Sequence, residues 1–393
     1  MVTVFTPVYN RANTLERLYS SLCSQTYKDF EWLIVNDGST DSTGEVLANI
    51  KSKDHFFNIV VIDKENGGKH TAINRGIKEA KGELFFIADS DDLLPYDSLQ
   101  IITQEFEKIR NDDSFSGICG IDQDPSGKII GTGLPADIID CHPTELRYKY
   151  GVQGDLKEVF RTEVLKQYPF PELEGEKFCP EVLVWFRISR KYKMRFLNRA
   201  VYTADYQPTG ITANITANRM QSPTLSMMTY SEMLTHNLPL RVKTRAAINY
   251  WRFRLCSTPS KSKPSVSPLW WWAFPLGLLL HLNDLRVNPV VATDHKQAVE
   301  PDRAEPLYNG NTQSNEAPTD ARTKQAPKGQ QTTGRRWSPQ GRNPCVVPSA
   351  SSRASPERAT DHRQAVEPVR AQPPAQQSPN PTKPRRIPAP SKP

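Results

Sequence analysis

Short apolar runs alternate with helix-like segments along the first part of the chain, and this alternation limits the fold more than any other feature. The runs are predicted to be strands and cover residues 2–6, 31–36, 59–63 and 84–88. Helices are expected between them, the first capped by Asn13 and the next two over residues 42–53 and 71–80. Strands that alternate with helices pair in parallel, so a doubly wound α/β sheet is predicted.

Polar clusters follow three of these predicted strands. They read "PVYNR" after the first, "NDGSTD" after the second and "DSDD" after the fourth. Each cluster alone has an ordinary explanation, because Asp-Gly forms turns and Ser, Thr and Asp cap helices. Ligands of doubly wound sheets bind beyond the carboxyl ends of the strands, however, and three clusters at that edge predict a binding site.

The acidic cluster consists of Asp89, Asp91 and Asp92. On extended backbone Asp89 and Asp91 would face one pocket while Ser90 faces away. A carboxylate pair of this kind can hold Mg²⁺ or Mn²⁺, which takes its remaining ligands from substrate phosphates. No GxGxxG follows the first strand, and "GGKHT" at 67–71 lacks the Gly and Ser/Thr positions of a P-loop. A metal-bound diphosphate outside these two motifs is therefore predicted.

The segments "TPVYNR", "VNDGSTDST" and "ENGGKHTAINRGIKEAKGELFFIADSDD" together resemble the family 2 glycosyltransferases, inverting enzymes with a GT-A fold. The resemblance continues less sharply to about residue 215. It implies a GT-A type, Rossmann-like, mostly parallel sheet in a single catalytic domain over residues 1–215.

The resemblance also implies roles for individual residues. The positions expected to contact the donor nucleotide are Pro7, Tyr9, Asn10, Asp37, Lys69 and Asp89. Asp91 would bind the Mn²⁺ or Mg²⁺ ion that bridges the diphosphate, and Asp92 is a further candidate ligand. In many family members an acidic pair precedes an apolar-aromatic stretch and an Arg.

Counting back from Arg187 aligns the second acid of that pair with Glu181, while Pro180 replaces the first. Glu181 is therefore the expected catalytic base, with Glu176 in reserve. Pro180 suits the first turn of a helix that runs to about Lys191. An acid at the start of a helix also complements the helix dipole, so a structural role for Glu181 stays open.

Residues 216–289 are predicted to form a helical, apolar extension. Its apolar core, residues 269–280, is too short to cross a bilayer, which needs about 20 apolar residues. The tryptophans at 270–272, preceded by Arg252, Arg254, Lys261 and Lys263, favour either peripheral membrane contact through residues 266–282 or packing on the catalytic domain.

Residues 290–393 are predicted to be a disordered tail. They hold 17 of the 33 prolines, and "ATDHKQAVEPDRAEP" at 292–306 recurs at 359–373 with 12 of 15 positions identical. The tail has 16 Lys/Arg against 9 Asp/Glu, which accounts for the whole net charge of +7. Because the folded part is neutral, no nucleic-acid partner is expected. The six cysteines have no CxxC spacing, and a cytoplasmic protein, peripheral at the inner membrane face if it meets a membrane, is expected.

The predicted function is a metal-dependent inverting glycosyltransferase of polysaccharide biosynthesis. It would move a sugar from a nucleotide-diphosphate donor, with a UDP-sugar expected, to a hydroxyl of a glycan or lipid-linked acceptor. The alternative is a catalytically silent nucleotide-sugar-binding module with the tail as its interaction arm. A sugar nucleotidyltransferase is disfavoured, because residues 7–20 lack the Gly-rich loop that such enzymes use for a triphosphate.

Overall fold

The computed structural model of the protein describes residues 1–205, 214–257 and 264–287. Several sequence-based expectations lie outside these residues: the tail 290–393, Lys261 and Lys263. Within the described residues one eight-stranded sheet has the order β3-β2-β1-β4-β7-β5-β8-β6. Its strands are β1 (Val2–Val8), β2 (Phe30–Asp37), β3 (Asn58–Lys64), β4 (Leu84–Ile87), β5 (Phe115–Gln123), β6 (Ile138–Cys141), β7 (Leu156–Arg161) and β8 (Lys193–Thr203).

The four strands predicted from sequence are present and pair in parallel, β1 with β2 and β4, and β2 with β3. The second half of the sheet is mixed. β7 pairs antiparallel with both β4 and β5, β6 pairs antiparallel with β8, and β5 and β8 are parallel. The predicted doubly wound, mostly parallel α/β sheet is therefore confirmed, with an antiparallel strand inserted beside its centre.

Helices cover both faces of the sheet. Those of the first part are α1 (Leu15–Cys23), α2 (Thr43–Lys51), α3 (Lys69–Glu79), α4 (Ser98–Glu107), α5 (Pro143–Tyr148), α6 (Thr162–Gln167) and α7 (Val182–Ser189). The expectation that Asn13 caps the first helix is wrong: Thr14 holds that position and makes no side-chain capping hydrogen bond. Glu16 instead forms an ion pair of 3.2 Å with Lys53.

Two apolar cores lie on opposite faces of the sheet. Alternate residues of β1 supply both, because successive side chains of a strand point to opposite sides. Val4 packs with Trp32 and Leu18 of α1 on one face, whereas Phe5 packs with Phe85 and the α3 side chains on the other. Both faces of β1 are thus covered, which explains why its apolar residues do not alternate with exposed polar ones.

A helical region follows the sheet. It contains α8 (Ile215–Gln221), α9 (Pro223–Thr235), α10 (Leu240–Arg254), a 3₁₀ helix (Pro268–Ala273) and α11 (Phe274–Val287). A third apolar cluster, which includes Met227, Tyr250 and Phe253, joins these helices. Since α9 packs against α7, this region is attached to the sheet-bearing part. The boundary between residues 215 and 216 stays a prediction.

Candidate active site

A cavity of about 1480 Å³ opens at the carboxyl ends of β1, β2 and β4. This is the edge where the polar clusters of the sequence predicted a site. The cavity brings together the predicted donor, metal and base residues, which are Pro7, Tyr9, Asn10, Asp37, Lys69, Asp89, Asp91, Asp92 and Glu181. Glu176, the reserve base, lies apart from them.

The loop after β1 is fixed to the loop after β2. Asn10 adopts a left-handed backbone conformation, with φ of 53°, which Asn tolerates better than most residues. Its backbone N–H donates to Ser39 Oγ at 3.0 Å, and its Oδ1 accepts from the Thr40 N–H at 2.8 Å. The neighbouring Tyr9 side chain stays 47% exposed at the cavity. Two predicted donor-contacting segments therefore form one connected rim.

Asp37 holds a third loop in place. Its carboxylate accepts hydrogen bonds from the backbone N–H groups of Gly67 at 3.0 Å and Gly68 at 2.8 Å, and pairs with Lys64 at 2.6 Å. Gly68 has φ of 95°, and a β-carbon there would lie 1.9 Å from the carbonyl oxygen of Lys177. Only glycine fits, so the loop before α3 sits in direct contact with the segment that precedes α7.

Lys69, the first residue of α3, forms ion pairs with both a predicted donor-binding residue and the predicted base. Its Nζ atom lies 2.6 Å from Asp89 Oδ1 and 2.8 Å from Glu181 Oε1. Burial alone would lower the pKa of Lys69, but the two carboxylates outweigh it and raise that pKa. Burial opposes ionisation of Asp89 as well, yet Lys69 and Lys157 bring the pKa of Asp89 below its usual value. Both groups are charged at neutral pH.

The "DSDD" segment is a turn and not extended backbone. The Asp92 N–H donates to the Asp89 carbonyl oxygen at 3.2 Å, and Ser90 is buried. The expected alternation, with Ser90 facing away from Asp89 and Asp91, is therefore wrong, because alternation requires a strand. All the same, Ser90 and the three acids line the cavity.

Asp91 and Asp92 differ in how firmly the protein holds them. The ion pair between Asp91 Oδ2 and Arg11 Nε is long, at 3.8 Å. Asp92 Oδ1 accepts the Asp205 N–H at 2.8 Å, and burial, followed by the charge of Asp89, raises the pKa of Asp92 to about 6. Asp91 is thus the better placed of the two to bind a cation.

The cavity was predicted to bind Mn²⁺ or Mg²⁺ through Asp91. No three or more His, Cys, Asp or Glu side chains within residues 1–205, 214–257 and 264–287 form a group that could hold a metal ion. A magnesium-like ion commonly needs only one or two protein carboxylates and completes its shell with substrate phosphates and water. Asp91, with a side chain 19% exposed in the cavity, fits that kind of site.

Glu176 has a different environment from Glu181. It is 2% exposed, and its carboxylate accepts the backbone N–H groups of Thr224 at 3.1 Å and Leu225 at 2.8 Å. These two N–H groups belong to the first turn of α9, where a negative charge is favourable. Glu176 therefore anchors α9 to the loop before α7. Its assignment as reserve base stays a prediction that this contact disfavours.

Two further acids line the cavity that the sequence motifs did not indicate, Asp122 of β5 and Glu158 of β7. Burial raises the pKa of each to about 7, and the charge of Asp122 adds to the rise at Glu158. Asp122 Oδ1 is buried and has no hydrogen-bond partner within the described residues. The signal was present: Asp122 follows an apolar run, as Asp89 does.

Residues 3–150 match the family model described as "Glycosyl transferase family 2". Over these residues the predicted resemblance to the family 2 glycosyltransferases is confirmed. Relatives include the glycosyltransferase GlyA of Streptococcus pneumoniae serotype 4, 36% identical over 111 residues, and the chondroitin synthase of Pasteurella multocida, 37% identical over 108 residues. Each match covers 28% of this chain, but 16% of GlyA and 11% of the chondroitin synthase. The chain therefore spans a small part of the length of these relatives.

Two solved structures are also similar to the chain. One is Staphylococcus aureus TarS 1-349 in complex with UDP, with a TM-score of 0.46 and 21% identity, covering 64% of this chain and 70% of that one. The other is the mannosyltransferase PcManGT from Pyrobaculum calidifontis in complex with GDP-Man and Mn²⁺, with a TM-score of 0.45 and 18% identity, covering 76% and 80%.

Proposed function

We propose that the chain is a metal-dependent, inverting glycosyltransferase that uses a nucleotide-sugar donor, with a UDP-sugar expected. One observation carries the proposal: Lys69 joins Asp89, on the predicted donor side, to Glu181, on the predicted base side, within one cavity. The match of residues 3–150 to the model of glycosyl transferase family 2 supports the same reaction class. Relatives named chondroitin synthase and hyaluronan synthase favour a role in polysaccharide biosynthesis.

The donor would occupy the rim formed by the strand ends. Pro7, Tyr9 and Asn10 would contact the nucleotide, and the exposed Tyr9 ring offers a surface on which a base can stack. Asp37 would act through the loop that it fixes, and Asp89 would approach the ribose. Asp91, with Asp92 in support, would hold Mn²⁺ or Mg²⁺. When bound, such an ion stabilises negative charge on the departing diphosphate as a Lewis acid.

Glu181 would accept the proton of the acceptor hydroxyl, a contribution worth roughly 10²–10⁴ in rate. Glu181 stands directly before α7 and lines the cavity. In the structure the Lys69 ammonium pairs with Glu181 as well as with Asp89. A diphosphate in the donor site competes for that ammonium, so donor binding would free the carboxylate to act as a base. Attack from the Glu181 side, opposite the leaving diphosphate, would invert the anomeric configuration.

The alternative, a silent nucleotide-sugar-binding module with an interaction tail, is favoured by two features. Pro180 stands where many family members have the first acid of the pair, and Glu181 is already ion-paired. The two functions differ in chemistry and not in donor binding, so turnover separates them.

The test is nucleoside diphosphate release from a panel of nucleotide sugars, with Mn²⁺, Mg²⁺ or EDTA, for the wild type and Asp91→Asn. Asp113→Asn is the matched control, because Asp113 is an exposed loop residue outside the cavity. Metal-dependent release from one donor, lost in Asp91→Asn and kept in Asp113→Asn, is expected. Donor binding by calorimetry without release for any acceptor would establish the silent module. Failure to bind any donor would refute both readings.

The acceptor is proposed to be a glycan or a lipid-linked molecule, and the protein to be cytoplasmic, at the inner membrane face when it works on lipid. Among the described residues no helix combines the length and apolar character needed to cross a membrane. Residues 266–282 are the segment proposed to contact a membrane.

A further inference from the structure

Apolar side chains are exposed in a row along the 3₁₀ helix and α11. We call this surface the tryptophan face, defined by Leu269, Trp271, Trp272, Leu276, Leu279 and Leu280. Leu269 is 71% exposed, Trp271 61% and Leu279 63%. Single exposed apolar residues are normal on proteins, but a contiguous patch marks an interaction surface. From this face we infer that the protein docks on an anionic lipid surface, an inference that rests on the membrane contact proposed above and names the lipid and the side chains.

The tryptophan face is held rigidly from behind. The Trp251 indole N–H donates to the Trp270 carbonyl oxygen at 2.9 Å, and Arg252 pairs with Asp284 at 2.6 Å. A β-carbon on Gly277 would lie 2.6 Å from the Trp251 β-carbon, so α11 touches α10 almost backbone to backbone. Because the inner side of α11 is fixed in this way, its outer apolar side cannot turn inward to become buried.

The charges around the face have one sign. α10 carries no Asp or Glu, and the Arg254 guanidinium lies 5.5 Å from the ring of Trp251, which contacts Trp271 edge to face. The acid of α11, Asp284, is 4% exposed and paired with Arg252, whereas Arg286 is exposed. Exposed cations beside an apolar face are attracted to anionic headgroups. A second copy of this surface would instead bring like charges together, which disfavours a symmetric dimer.

The dimensions of α11 favour a helix that lies in the interface. Its 14 residues would extend about 21 Å at 1.5 Å per residue, less than the hydrocarbon core of about 30 Å. Trp residues are enriched at the boundary between headgroups and acyl chains. Trp271 and Trp272 would therefore sit at that boundary, with Leu276, Leu279 and Leu280 beside them.

The docked surface also connects to the cavity. Cys256, just after α10, lines the cavity and lies 3.5 Å from His281 of α11, measured from Sγ to Nδ1. If α11 lay on a lipid surface, the cavity would be close to that surface, because one residue, Cys256, touches both the cavity and α11. This arrangement suits an acceptor that is carried by a lipid.

The experiment is flotation of the full chain with vesicles of phosphatidylcholine alone or with 30% phosphatidylglycerol, at two salt concentrations. We expect binding to the anionic vesicles that weakens with salt, and binding at least about tenfold weaker for Trp271→Ser/Trp272→Ser, since binding scales with buried apolar area. Tyr96→Ser/Tyr150→Ser removes two exposed aromatic rings from elsewhere and should bind as the wild type does.

Tryptophan quenching by brominated acyl chains gives a second readout, expected in the wild type and lost in the Trp271→Ser/Trp272→Ser variant. Equal binding by this variant and the wild type would overturn the proposal, because the basic tail would then be the binding element. So would a wild type that binds neither vesicle, or one that forms a dimer by light scattering which the variant abolishes. Diphosphate release in solution, unchanged in the variant, keeps failure of docking separate from failure of the proposed reaction.

Discussion

The cavity rim and the tryptophan face differ in whether the protein itself pairs or buries their functional side chains. At the rim, the Lys69 ammonium forms ion pairs with both Asp89 and Glu181. At the tryptophan face, Trp271 and Trp272 remain exposed, and no element within residues 1–205, 214–257 and 264–287 buries them. A ligand at the rim must therefore displace existing ion pairs, whereas a partner at the face adds contacts without breaking any. Changes at the rim should alter chemistry and stability, and changes at the face should alter neither.

The largest expected effect is on the rim. Glu181→Gln removes the proposed base and should reduce diphosphate release roughly 10²–10⁴-fold in the presence of acceptor. Donor affinity, measured by calorimetry, should be retained. Glu163→Gln is the control, since Glu163 is an exposed glutamate with a side chain 78% accessible and one ion pair to Lys166. Near-normal turnover of Glu181→Gln would transfer the role of base to Glu176.

Asp122 should make stability depend on pH. Its pKa is about 7 in the folded protein, above the usual unfolded value, so the unfolded chain releases this proton first. Stability should fall as pH rises from about 4 to 7 and stay level above, a loss on the order of 2–4 kcal/mol. Asp122→Asn should therefore raise the melting temperature more at pH 8 than at pH 5. Equal shifts at both pH values would show that Asp122 ionises normally.

Glu176→Gln tests the anchor of α9. The neutral amide leaves one of the two N–H groups of Thr224 and Leu225 without its charged acceptor, which costs about 1–3 kcal/mol. Urea unfolding should show this loss, while diphosphate release per folded molecule stays near the wild-type value. Glu163→Gln, at an exposed glutamate whose side chain is 78% accessible, should leave unfolding nearly unchanged. A stable but inactive Glu176→Gln protein would reverse the roles of Glu176 and Glu181.

The smallest effect on stability belongs to the tryptophan face. Trp271→Ser/Trp272→Ser should change the free energy of unfolding by no more than about 0.5 kcal/mol per site, because exposed side chains lose little contact on substitution. Chemical denaturation of the full chain measures this. A marked destabilisation would mean that another part of the chain covers the face, and the contrast between rim and face would fail.

The sequence was a good guide to the first half of the sheet. β1 to β4 are local units, each an apolar run bounded by turn residues, so pattern alone located them and the cavity edge. It was a poor guide to β7, whose pairing with β4 joins Leu84 to Arg161 and is set by tertiary contacts. The conformation of "DSDD" was also missed, because a short polar segment after a strand can be extended or turned with little change in composition.

In the site, too, local motifs could be predicted from the sequence, but contacts between distant residues could not. Asp91 and Lys69 were assigned from a local motif, and both line the cavity. The ion pair between Lys69 and Glu181 could not be foreseen, since the two residues are far apart in sequence and meet only when α3 and α7 pack on one face of the sheet. Burial of Glu176 under α9 was hidden for the same reason: the sequence shows an acid but not the N–H groups that surround it.

Gly68 has a consequence for anyone who redesigns this protein. Because the Lys177 carbonyl occupies the space that a side chain would need, the loop before α3 and the segment before α7 have matching shapes. Exchanging either one with a related enzyme, to change the sugar or the acceptor, would set two mismatched surfaces against each other. The loop before α3 and the segment before α7 therefore have to be exchanged together.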